Sequence, residues 1–509
     1  MYRIKKRIGL FFLVLLVVNC GFSQSDKTYE SLEEALKKPA QVLYLDLENL
    51  KTWPNELSQF SALRSLTIGN SEVTILTNDF KSLPKLRKLS LTDNKITLLS
   101  NSIGDLANLQ TLDLGGNKLT FLPKAIGKLK NLQELELLGN QLQRLPVEIG
   151  QLTRLTTLSV QRNQLRSLPA AIGNLTELSE LQCAENLLSK VPASIKRLKK
   201  LETLELSKNQ LTTLPNEIGS CVALESIDCS TNLLSTLPDS FRSLGALTDL
   251  DLSNNQFEEF PLVLYACTSL SELNLGYNQL KALPENIHQL NKMNELNLSE
   301  NFLTQLPVSF GKMQKITQLD LRKNQFSQFP KPLTKCKNLE ELDLSFNLLK
   351  SLPQSIGKLQ KIFEFYLEGN QLQALPSSFK QLKLLYGLRL NNNRFVRFPK
   401  VLYKCVALEE LNLMNNLMTT LPDDIYKLKS VKKLVLNDNQ LNALPNSIGK
   451  MQNLETLMLE NNKLVRLPES LKNLAKLRRL FLGGNPLSQS EIRKIKRWLP
   501  KTQIIFRNK

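Results

Sequence analysis

One asparagine recurs every 23 residues along most of this 509-residue chain, with no insertion or deletion in the series. Each unit also repeats leucine or another apolar residue at fixed offsets from its asparagine. A unit this short cannot bury its own apolar face, so a constant period predicts a solenoid in which each unit stacks on its neighbours. The period favours one elongated domain over the several globular domains that the length alone would suggest. We call these residues the ladder asparagines: Asn94, Asn117, Asn140, Asn163, Asn186, Asn209, Asn232, Asn255, Asn278, Asn301, Asn324, Asn347, Asn370, Asn393, Asn416, Asn439, Asn462 and Asn485.

A unit from the middle of the chain shows what each turn is expected to do. Leu204 and Leu206 alternate with Glu205 as in a half-buried strand, so one short strand per unit predicts a stacked parallel sheet. Asn209 follows the strand, and its amide can bond backbone groups of adjacent turns that would otherwise be buried unpaired. Pro215 stands at an offset that carries proline in sixteen repeats, which favours an extended or 3₁₀ segment there.

The pattern LxxLxLxxNxLxxLPxxIxxLxx, which fits residues 42–506, resembles that of the leucine-rich repeat family. The resemblance implies an α/β repeat solenoid, a horseshoe with a parallel β-sheet on its concave side. It further implies extended or 3₁₀ segments on the convex side and short capping helices at both ends. The layout near the start, a short helix ending in Lys-Pro and then a repeat strand, is similar to that of secreted spirochaetal leucine-rich repeat proteins.

A second period of 69 residues is superimposed on the first. It relates three Phe-Pro pairs that replace the usual Leu-Pro, each followed by a cysteine at the same distance. We interpret this period as growth by duplication of three-repeat blocks. The pairs are Phe260-Pro261, Phe329-Pro330 and Phe398-Pro399.

The first twenty residues have the features of a secretory signal. Four basic residues within the first seven positions precede an apolar run from Ile8 to Val18, which is too short for a spanning helix. The letters VVNC at the end of this run resemble a loose bacterial lipobox, which implies lipidation of Cys20. Ordinary cleavage near Gly21 is the alternative. The predicted location is therefore exported: an outer-membrane or cell-surface lipoprotein, or a periplasmic or secreted protein.

Both ends of the repeat series are predicted to be capped. Ser31 with Glu34 three residues later is a capping box that begins a short helix, which Pro39 ends. At the other end an amphipathic helix from Ser488 and a last strand ending at Phe506 are expected to shield the sheet edge. The predicted plan is a signal peptide at 1–20, a tether at 21–30, a cap helix at 31–41, about twenty repeats at 42–487 and a C-terminal cap at 488–509.

Catalytic and metal-binding residue patterns do not occur in this sequence. The single histidine, His288, has no second histidine to act with, and there is no glycine-rich phosphate loop. Six cysteines besides Cys20 occupy apolar repeat positions, where cysteine packs as a small hydrophobe, and none has a same-offset partner in an adjacent repeat. The sequence therefore predicts no disulfide, no metal, no cofactor and no enzymatic activity.

Acidic residues are distributed against the overall charge of the chain. The net charge is +19, or +15 once the four basic residues of the signal segment are removed. Residues two, four and six positions before each ladder asparagine are expected to point out of the sheet, onto what we call the concave sheet face. Basic residues concentrate elsewhere, so the solenoid is predicted to be acidic inside and basic outside. The concave positions carry Glu134, Glu136, Glu180, Glu205, Asp228, Asp249, Asp251, Glu272, Glu295, Asp320, Glu341, Asp343, Glu364, Glu368 and Glu410.

The acidic columns have two interpretations. They are either a consensus feature of the repeat, with the basic exterior serving solubility, or a surface for a basic partner that relieves their repulsion. Toward the C-terminus the same positions turn apolar, as a partner's anchor or as packing beside the cap. The hypothesis is a two-part concave site with an acidic centre of Glu205, Asp228, Asp249, Asp251, Glu272 and Glu295 and an apolar end of Tyr366, Val435, Met458 and Phe481.

The sequence thus predicts an exported, non-enzymatic scaffold that binds a protein partner through the concave sheet face. The choice of a protein as ligand is implied by the family resemblance. A structural envelope protein that binds anionic polymer or lipid headgroups through a basic convex face is the alternative. No nucleic acid is expected as a partner, membrane contact is expected only through the signal or a lipid anchor, and the oligomeric state stays open.

Overall fold

The computed structural model describes residues 27–76 and 79–506 of the chain. The chain divides into two compact units, Met1–Leu178 and Ser179–Lys509. Each unit consists of stacked turns, and nearly every turn has one short strand and one 3₁₀ helix. The predicted signal peptide, Cys20 and most of the predicted tether lie outside the described residues.

The described part of the first unit contains seven parallel strands, which pair in chain order. Consecutive repeats pair without slippage, so the inward leucines Leu89, Leu112 and Leu135 are direct neighbours. A one-residue slip would turn this apolar column outward, which is why the register is fixed. The strands are β1 Thr28–Tyr29, β2 Tyr44–Glu48, β3 Ser65–Gly69, β4 Lys88–Ser90, β5 Thr111–Asp113, β6 Glu134–Glu136 and β7 Thr157–Ser159.

Fifteen parallel strands in the described part of the second unit pair in the same way. They are β8 Glu180–Gln182, β9 Thr203–Glu205, β10 Ser226–Asp228, β11 Asp249–Asp251, β12 Glu272–Asn274, β13 Glu295–Asn297, β14 Gln318–Asp320, β15 Glu341–Asp343, β16 Glu364–Tyr366, β17 Gly387–Arg389, β18 Glu410–Asn412, β19 Lys433–Val435, β20 Thr456–Met458, β21 Arg479–Phe481 and β22 Gln503–Ile505. The parallel repeat sheet expected from the sequence is confirmed in each unit.

The 3₁₀ helices confirm the expectation of short 3₁₀ segments instead of long helices. In most repeats the proline adopts extended geometry just before the helix, and the chain leaves the helix at the next apolar residue. In the first unit they are Pro39–Gln41, Asn55–Gln59, Phe80–Ser82, Asn101–Asp105, Lys124–Lys128, Val147–Gln151 and Ala170–Asn174. In the second they are Ala193–Arg197, Asn216–Ser220, Asp239–Ser243, Leu262–Ala266, Glu285–Gln289, Val308–Lys312, Lys331–Lys335, Gln354–Lys358, Ser377–Gln381, Lys400–Lys404, Ile425–Lys427, Asn446–Lys450 and Glu469–Asn473.

The 69-residue period has a structural counterpart at the Phe-Pro pairs. Backbone ψ is 98° at Pro261, 95° at Pro330 and 89° at Pro399, whereas it is 145° at Pro215 of an ordinary repeat. A buried phenylalanine ring occupies the place of a leucine before each of these prolines. Every third repeat in this region therefore turns differently onto its 3₁₀ helix.

The ladder asparagines use both ends of their amides. In Asn278, Nδ2 donates to the Leu252 oxygen of the preceding repeat at 3.0 Å and to the Leu275 oxygen at 3.1 Å, and Oδ1 accepts from the Phe257 nitrogen at 3.0 Å. Backbone groups at the end of each strand would otherwise be buried without partners. In the second repeat Ser71 takes this place, and its hydroxyl accepts from the Leu50 nitrogen at 2.9 Å.

The N-terminal cap differs in detail from the prediction. Ser31 Oγ accepts from the Glu34 nitrogen at 3.4 Å, but the Glu34 carboxylate pairs with Lys27 at 2.6 Å where a capping box would turn it back to Ser31. The α-helix α1 is only Leu32–Ala35. Strand β1, inside the segment predicted to be a tether, pairs with β2. Two of the described residues of that segment, Thr28 and Tyr29, therefore belong to the sheet.

The C-terminal cap has the predicted helix and strand. Helix α2 spans Gln489–Trp498, and Ser488 Oγ accepts from the Glu491 nitrogen at 3.2 Å. The buried Glu491 carboxylate accepts from the Leu467 nitrogen at 3.1 Å, which ties the helix to the last repeats. Strand β22 then pairs with β21.

Candidate functional site

The acidic centre lies on one stretch of the concave sheet face in the second unit. Asp228 pairs in register with Glu205 on one side and Asp251 on the other. The second column places Glu272 between Asp249 and Glu295, again as direct neighbours. All six carboxylates of the acidic centre are partly buried. The structure therefore brings together two parallel rows of three like charges, with strands about 5 Å apart.

One of these columns also serves the backbone. Asp228 Oδ1 accepts from the Ser230 nitrogen at 2.8 Å, and Asp251 Oδ1 accepts from the Ser253 nitrogen at 2.8 Å. A carboxylate or amide oxygen satisfies this nitrogen equally well, and Asn274 makes the same bond to Gly276. The bond recurs at Asp113, Asn297, Asp320, Asp343 and Asn412. It gives a physical reason for Asp or Asn at this offset that involves no partner.

The negative charge at this offset exceeds what the turn needs. Asparagine would suffice for the bond, yet a partly buried glutamate, Glu205, precedes Asp228 and Asp251. Burial, and then the charges of Asp228 and Glu180, raise the pKa of Glu205 to about 7. Burial also raises the pKa of Asp251, although the hydrogen bonds that its carboxylate accepts from Ser253 and Asn274 lower it. The column therefore carries an electrostatic cost that the fold alone does not require.

Two further carboxyl groups on the same face, Asp320 and Glu368, also have raised pKa values. Burial, and then the charge of Asp343, raise the pKa of Asp320 to about 7. Burial is the main reason that the pKa of Glu368 is raised to about 7, and the charge of Asp343 adds to the rise. Desolvation and like charge both disfavour an ionised carboxyl group. The charge of the concave sheet face therefore varies with pH around neutrality.

The apolar end is smaller than predicted. Val435, Met458 and Phe481 are direct neighbours in three strands, and Ile505 of the cap continues their row. Val435, however, is only 6% exposed, so the expectation that it is an exposed contact residue is wrong. A short β-branched side chain in this row is covered, whereas Met458 and Phe481 remain half-buried. The exposed apolar surface of this row lies at its cap side.

Tyr366 does not belong to the apolar end. Two strands, carrying Arg389 and Asn412 at the same offset, separate it from Val435. The Arg389 guanidinium lies 5.0 Å from the centre of the Tyr366 ring, in a cation–π contact. The sequence hypothesis missed Arg389 because it considered acidic and apolar columns only, although an arginine amid carboxylates at a concave position was a visible signal.

Several lysines outside the sheet have structural partners. Lys199 Nζ donates to the Ser220 oxygen at 2.9 Å, and Lys383 Nζ donates to the Lys404 oxygen at 2.6 Å, at the ends of 3₁₀ helices in the following repeats. Other lysines pair with a glutamate 23 residues earlier, as in Lys208 with Glu185 at 2.8 Å. Part of the basic surplus therefore supports the solenoid itself, which weakens the case for a polyanion-binding exterior.

The cysteines of the described residues are all free and buried. Cys221 Sγ donates to the Ile195 oxygen at 3.2 Å, and Cys267 Sγ donates to the Phe241 oxygen at 3.4 Å. Burial raises the pKa of each of these two thiols to about 11. These are inert packing positions, unlike the exposed low-pKa setting of a reactive thiol.

Residues 27–76 and 79–506 contain no group of three or more His, Cys, Asp or Glu side chains that could hold a metal ion. No helix within those ranges is both long and apolar enough to cross a bilayer. His288 Nδ1 lies 3.2 Å from the backbone carbonyl oxygen of Glu285 in the same 3₁₀ helix.

Family models match most of the repeat region. A model of the leucine-rich repeat region matches residues 47–139 and 127–210, and leucine rich repeat models match residues 201–257, 264–326, 429–487 and 338–359. A search of curated proteins finds no match.

Solved structures give broader coverage. A leucine-rich repeat protein of Leptospira interrogans is 33% identical with a TM-score of 0.52, and the match covers 94% of this chain and 100% of that one. The ectodomain of the Arabidopsis receptor kinase HAESA, in complex with an extended IDA peptide hormone ligand, is 26% identical with a TM-score of 0.64, covering 91% and 81%. YopM from Yersinia enterocolitica is 25% identical with a TM-score of 0.60, covering 83% of each chain. The repeat, its fold and these matches together show that the chain belongs to the leucine-rich repeat family.

Proposed function

We propose that this chain is an exported, non-enzymatic scaffold that binds a basic protein partner through its concave sheet face. The observation that carries the proposal is the pair of in-register carboxylate columns of the acidic centre. The similar HAESA ectodomain holds a peptide hormone ligand, which supports a protein or peptide as the class of partner. Export is supported by the basic and apolar segments that precede Cys20.

The energetic argument for a basic partner is the repulsion within each column. Two unit charges about 5 Å apart repel by roughly 0.8 kcal/mol in water, and by more where the site is partly desolvated. Glu205, Asp228 and Asp251 carry this cost across three consecutive strands. A partner that places lysine or arginine side chains along the columns relieves all of these contacts at once and gains from long-range attraction before contact.

The apolar end supplies a second contact. Met458 and Phe481 are half-buried neighbours, so a partner side chain that covers them removes apolar surface from water. Changing both to serine is expected to speed dissociation about tenfold and to leave association almost unchanged. Surface plasmon resonance with the captured partner measures both rates. An unchanged dissociation rate in the folded variant would remove the apolar end from the site.

Capture with a matched variant tests the main proposal. The chain from residue 21 onward is immobilised and exposed to extracts, beside D228N/D251N, in which each asparagine keeps the turn bond seen at Asn274. A basic protein that the wild-type chain retains and the variant releases supports the proposal. Equal retention by both chains would contradict it. Retention of anionic polymer by both chains, abolished by salt, would favour the convex face instead.

The anchoring proposal has its own test. If Cys20 is lipidated, the native N-terminus begins at Cys20 and carries acyl chains, which mass spectrometry of the native protein detects. A native chain that begins after residue 20 without lipid would contradict lipidation and leave a freely secreted protein.

A further inference from the structure

A glycine interrupts the concave sheet face between Glu364 and Glu410. Every other described strand of the second unit, from β8 to β21, has a side chain at this offset, but β17 begins with Gly387. A Cβ at Gly387 would overlap the Glu364 carboxylate, so that carboxylate lies over the strand where a side chain would otherwise stand. Glycine inside a strand marks a place where another group approaches the backbone closely. We call Gly387 with Glu341, Glu364 and Glu410 the Gly387 site.

The carboxylates of the Gly387 site outnumber the cations near them. Glu341 and Glu364 are neighbours in register, and Glu410 follows on the other side of the glycine. Burial raises the pKa of Glu364, the charge of Arg389 opposes that rise, and Glu410 and Glu341 add to it. Glu410 also lies 3.6 Å from the exposed Lys433 ammonium. With Asp343 and Glu368 further along the same repeats, five carboxylates face three cations, Arg322, Arg389 and Lys433.

Aromatic rings lie on both sides of Glu364. Phe363, directly before it in the chain and 49% exposed, stacks on Tyr386 with ring centres 4.9 Å apart and an angle of 8° between the planes. Tyr366, on the other side, holds the Arg389 guanidinium against its ring. The chain therefore already binds one guanidinium on an aromatic ring beside this carboxylate.

Two oxygen atoms just beyond the strands of the Gly387 site lack donors. Glu368 Oε2 and Asn391 Oδ1 are buried with no hydrogen-bond partner. They belong to neighbouring strand ends, since the Gly369 nitrogen donates to the Asn391 oxygen at 3.0 Å. A buried acceptor without a donor is destabilising, and a partner that brings N–H groups to these strand ends relieves that cost.

We propose that the Gly387 site receives one arginine side chain of the partner protein, with its guanidinium on the Glu364 carboxylate and beside the aromatic rings. This inference rests on the proposed function, because it names one residue that the partner brings. A guanidinium fits better than an ammonium for two reasons. Its five planar donors can serve a carboxylate and further acceptors together, and its flat face stacks on aromatic rings.

A glycine-detected titration tests the site with a defined probe. The chain has 20 glycines, so ¹⁵N-glycine labelling gives a sparse spectrum, and the signal missing from G387A identifies Gly387. Nα-acetyl-arginine amide is expected to shift the Gly387 signal saturably. Citrulline amide, which keeps the shape and lacks the charge, is expected to leave it in place. A Gly387 signal that arginine amide does not move, or that citrulline or Nα-acetyl-lysine amide moves as much, would overturn the proposal.

Two glutamine variants complete the test. E364Q is expected to need about ten times more arginine amide for the same shift, because the neutral amide loses the charge-assisted bond. E134Q removes a carboxylate at the same offset, between Thr111 and Thr157 and outside the acidic centre, and it is expected to titrate as the wild type does. Equal titrations of E364Q and wild type would contradict the proposal. That failure is distinct from failure of the proposed function, which depends on Asp228 and Asp251.

Discussion

The ladder asparagines and the concave carboxylates lie a few residues apart in each repeat, yet they use their polar atoms differently. Asn255 is buried and has backbone partners on both ends of its amide. Asp251, four residues earlier, is half-buried. Its Oδ1 accepts from the Ser253 nitrogen, and its Oδ2 accepts from Asn274 Nδ2 at 2.8 Å. The ladder is therefore accounted for by stability, whereas the charge of the column is not.

This difference shows how to separate scaffold from site in a repeat protein. A repeated polar residue is structural to the extent that the backbone needs its particular atoms. At the column offset the backbone needs one acceptor oxygen, and Asn274 and Asn297 meet that need without charge. The surplus is the negative charge of Asp228 and Asp251, and selection for folding alone gives no reason to keep it. A substitution that removes the amide of a ladder asparagine tests the ladder. A substitution of aspartate by asparagine removes only charge and tests the carboxylate column.

The largest expected effect is the loss of one ladder amide. Asn278→Leu leaves the Phe257 nitrogen and the Leu252 oxygen buried without the amide, and it is expected to cost about 3 kcal/mol of unfolding free energy. Asp228→Asn, the matched control, keeps the turn bond to the Ser230 nitrogen and is expected to stay within about 0.5 kcal/mol of the wild type. Urea denaturation of the two variants measures both. Equal midpoints would remove the distinction between the rows.

A smaller effect is expected from the buried charge of Glu205. Its folded pKa is about 7 against 4.5 ordinarily, so the native state holds more protons between these values and loses stability as pH rises through them. Glu205→Gln removes this cost. After allowance for partial solvent exposure, the variant is expected to gain about 1 kcal/mol above pH 7 and nothing below pH 4.5. Denaturation at both extremes of pH checks this, and a constant difference between the proteins would refute the pKa assignment.

The smallest effect is expected at the residue directly before each ladder asparagine, which lies between the ladder and the carboxylate column. It is left-handed in every repeat, with φ of 55° at Thr231, and a β-branched residue is strained there. Thr231→Gly is expected to stabilise the fold by about 0.5 kcal/mol, because relief of strain exceeds the entropy that glycine adds to the unfolded chain. Thr248→Gly, directly before β11 at a residue without positive φ, serves as control and is expected to destabilise. A loss of stability at both positions would contradict the account of strain.

The fold could be predicted because every repeat restates the same physical constraints. The alternation of Leu204, Glu205 and Leu206, the proline offset and the ladder fixed strand, 3₁₀ helix and register in advance. The left-handed residue could not be read in this way, since Thr231, Tyr277 and Phe346 occupy it as readily as glycine does in other repeats. Tertiary context overrides local preference there, because the ladder bonds on both sides hold the turn.

The candidate site was only partly predictable. An outward offset was enough to place Asp228 and Glu272 in columns, but it did not reveal that Val435 is covered. Burial at an outward position depends on the lengths of side chains in neighbouring strands, which a single repeat does not contain. The same limit applies to Gly387, whose meaning depends on where the Glu364 side chain of the previous repeat lies.

The association rate constant, measured as a function of salt, tests the central claim most directly. With the captured partner, D228N/D251N is expected to associate more slowly than wild type at low salt, to show a flatter salt dependence and to dissociate at a similar rate. The control E217Q/E285Q removes two charges from the 3₁₀ helices and is expected to behave as wild type. Wild-type association and salt dependence in folded D228N/D251N would contradict the claim that the carboxylate columns of the concave sheet face receive the partner.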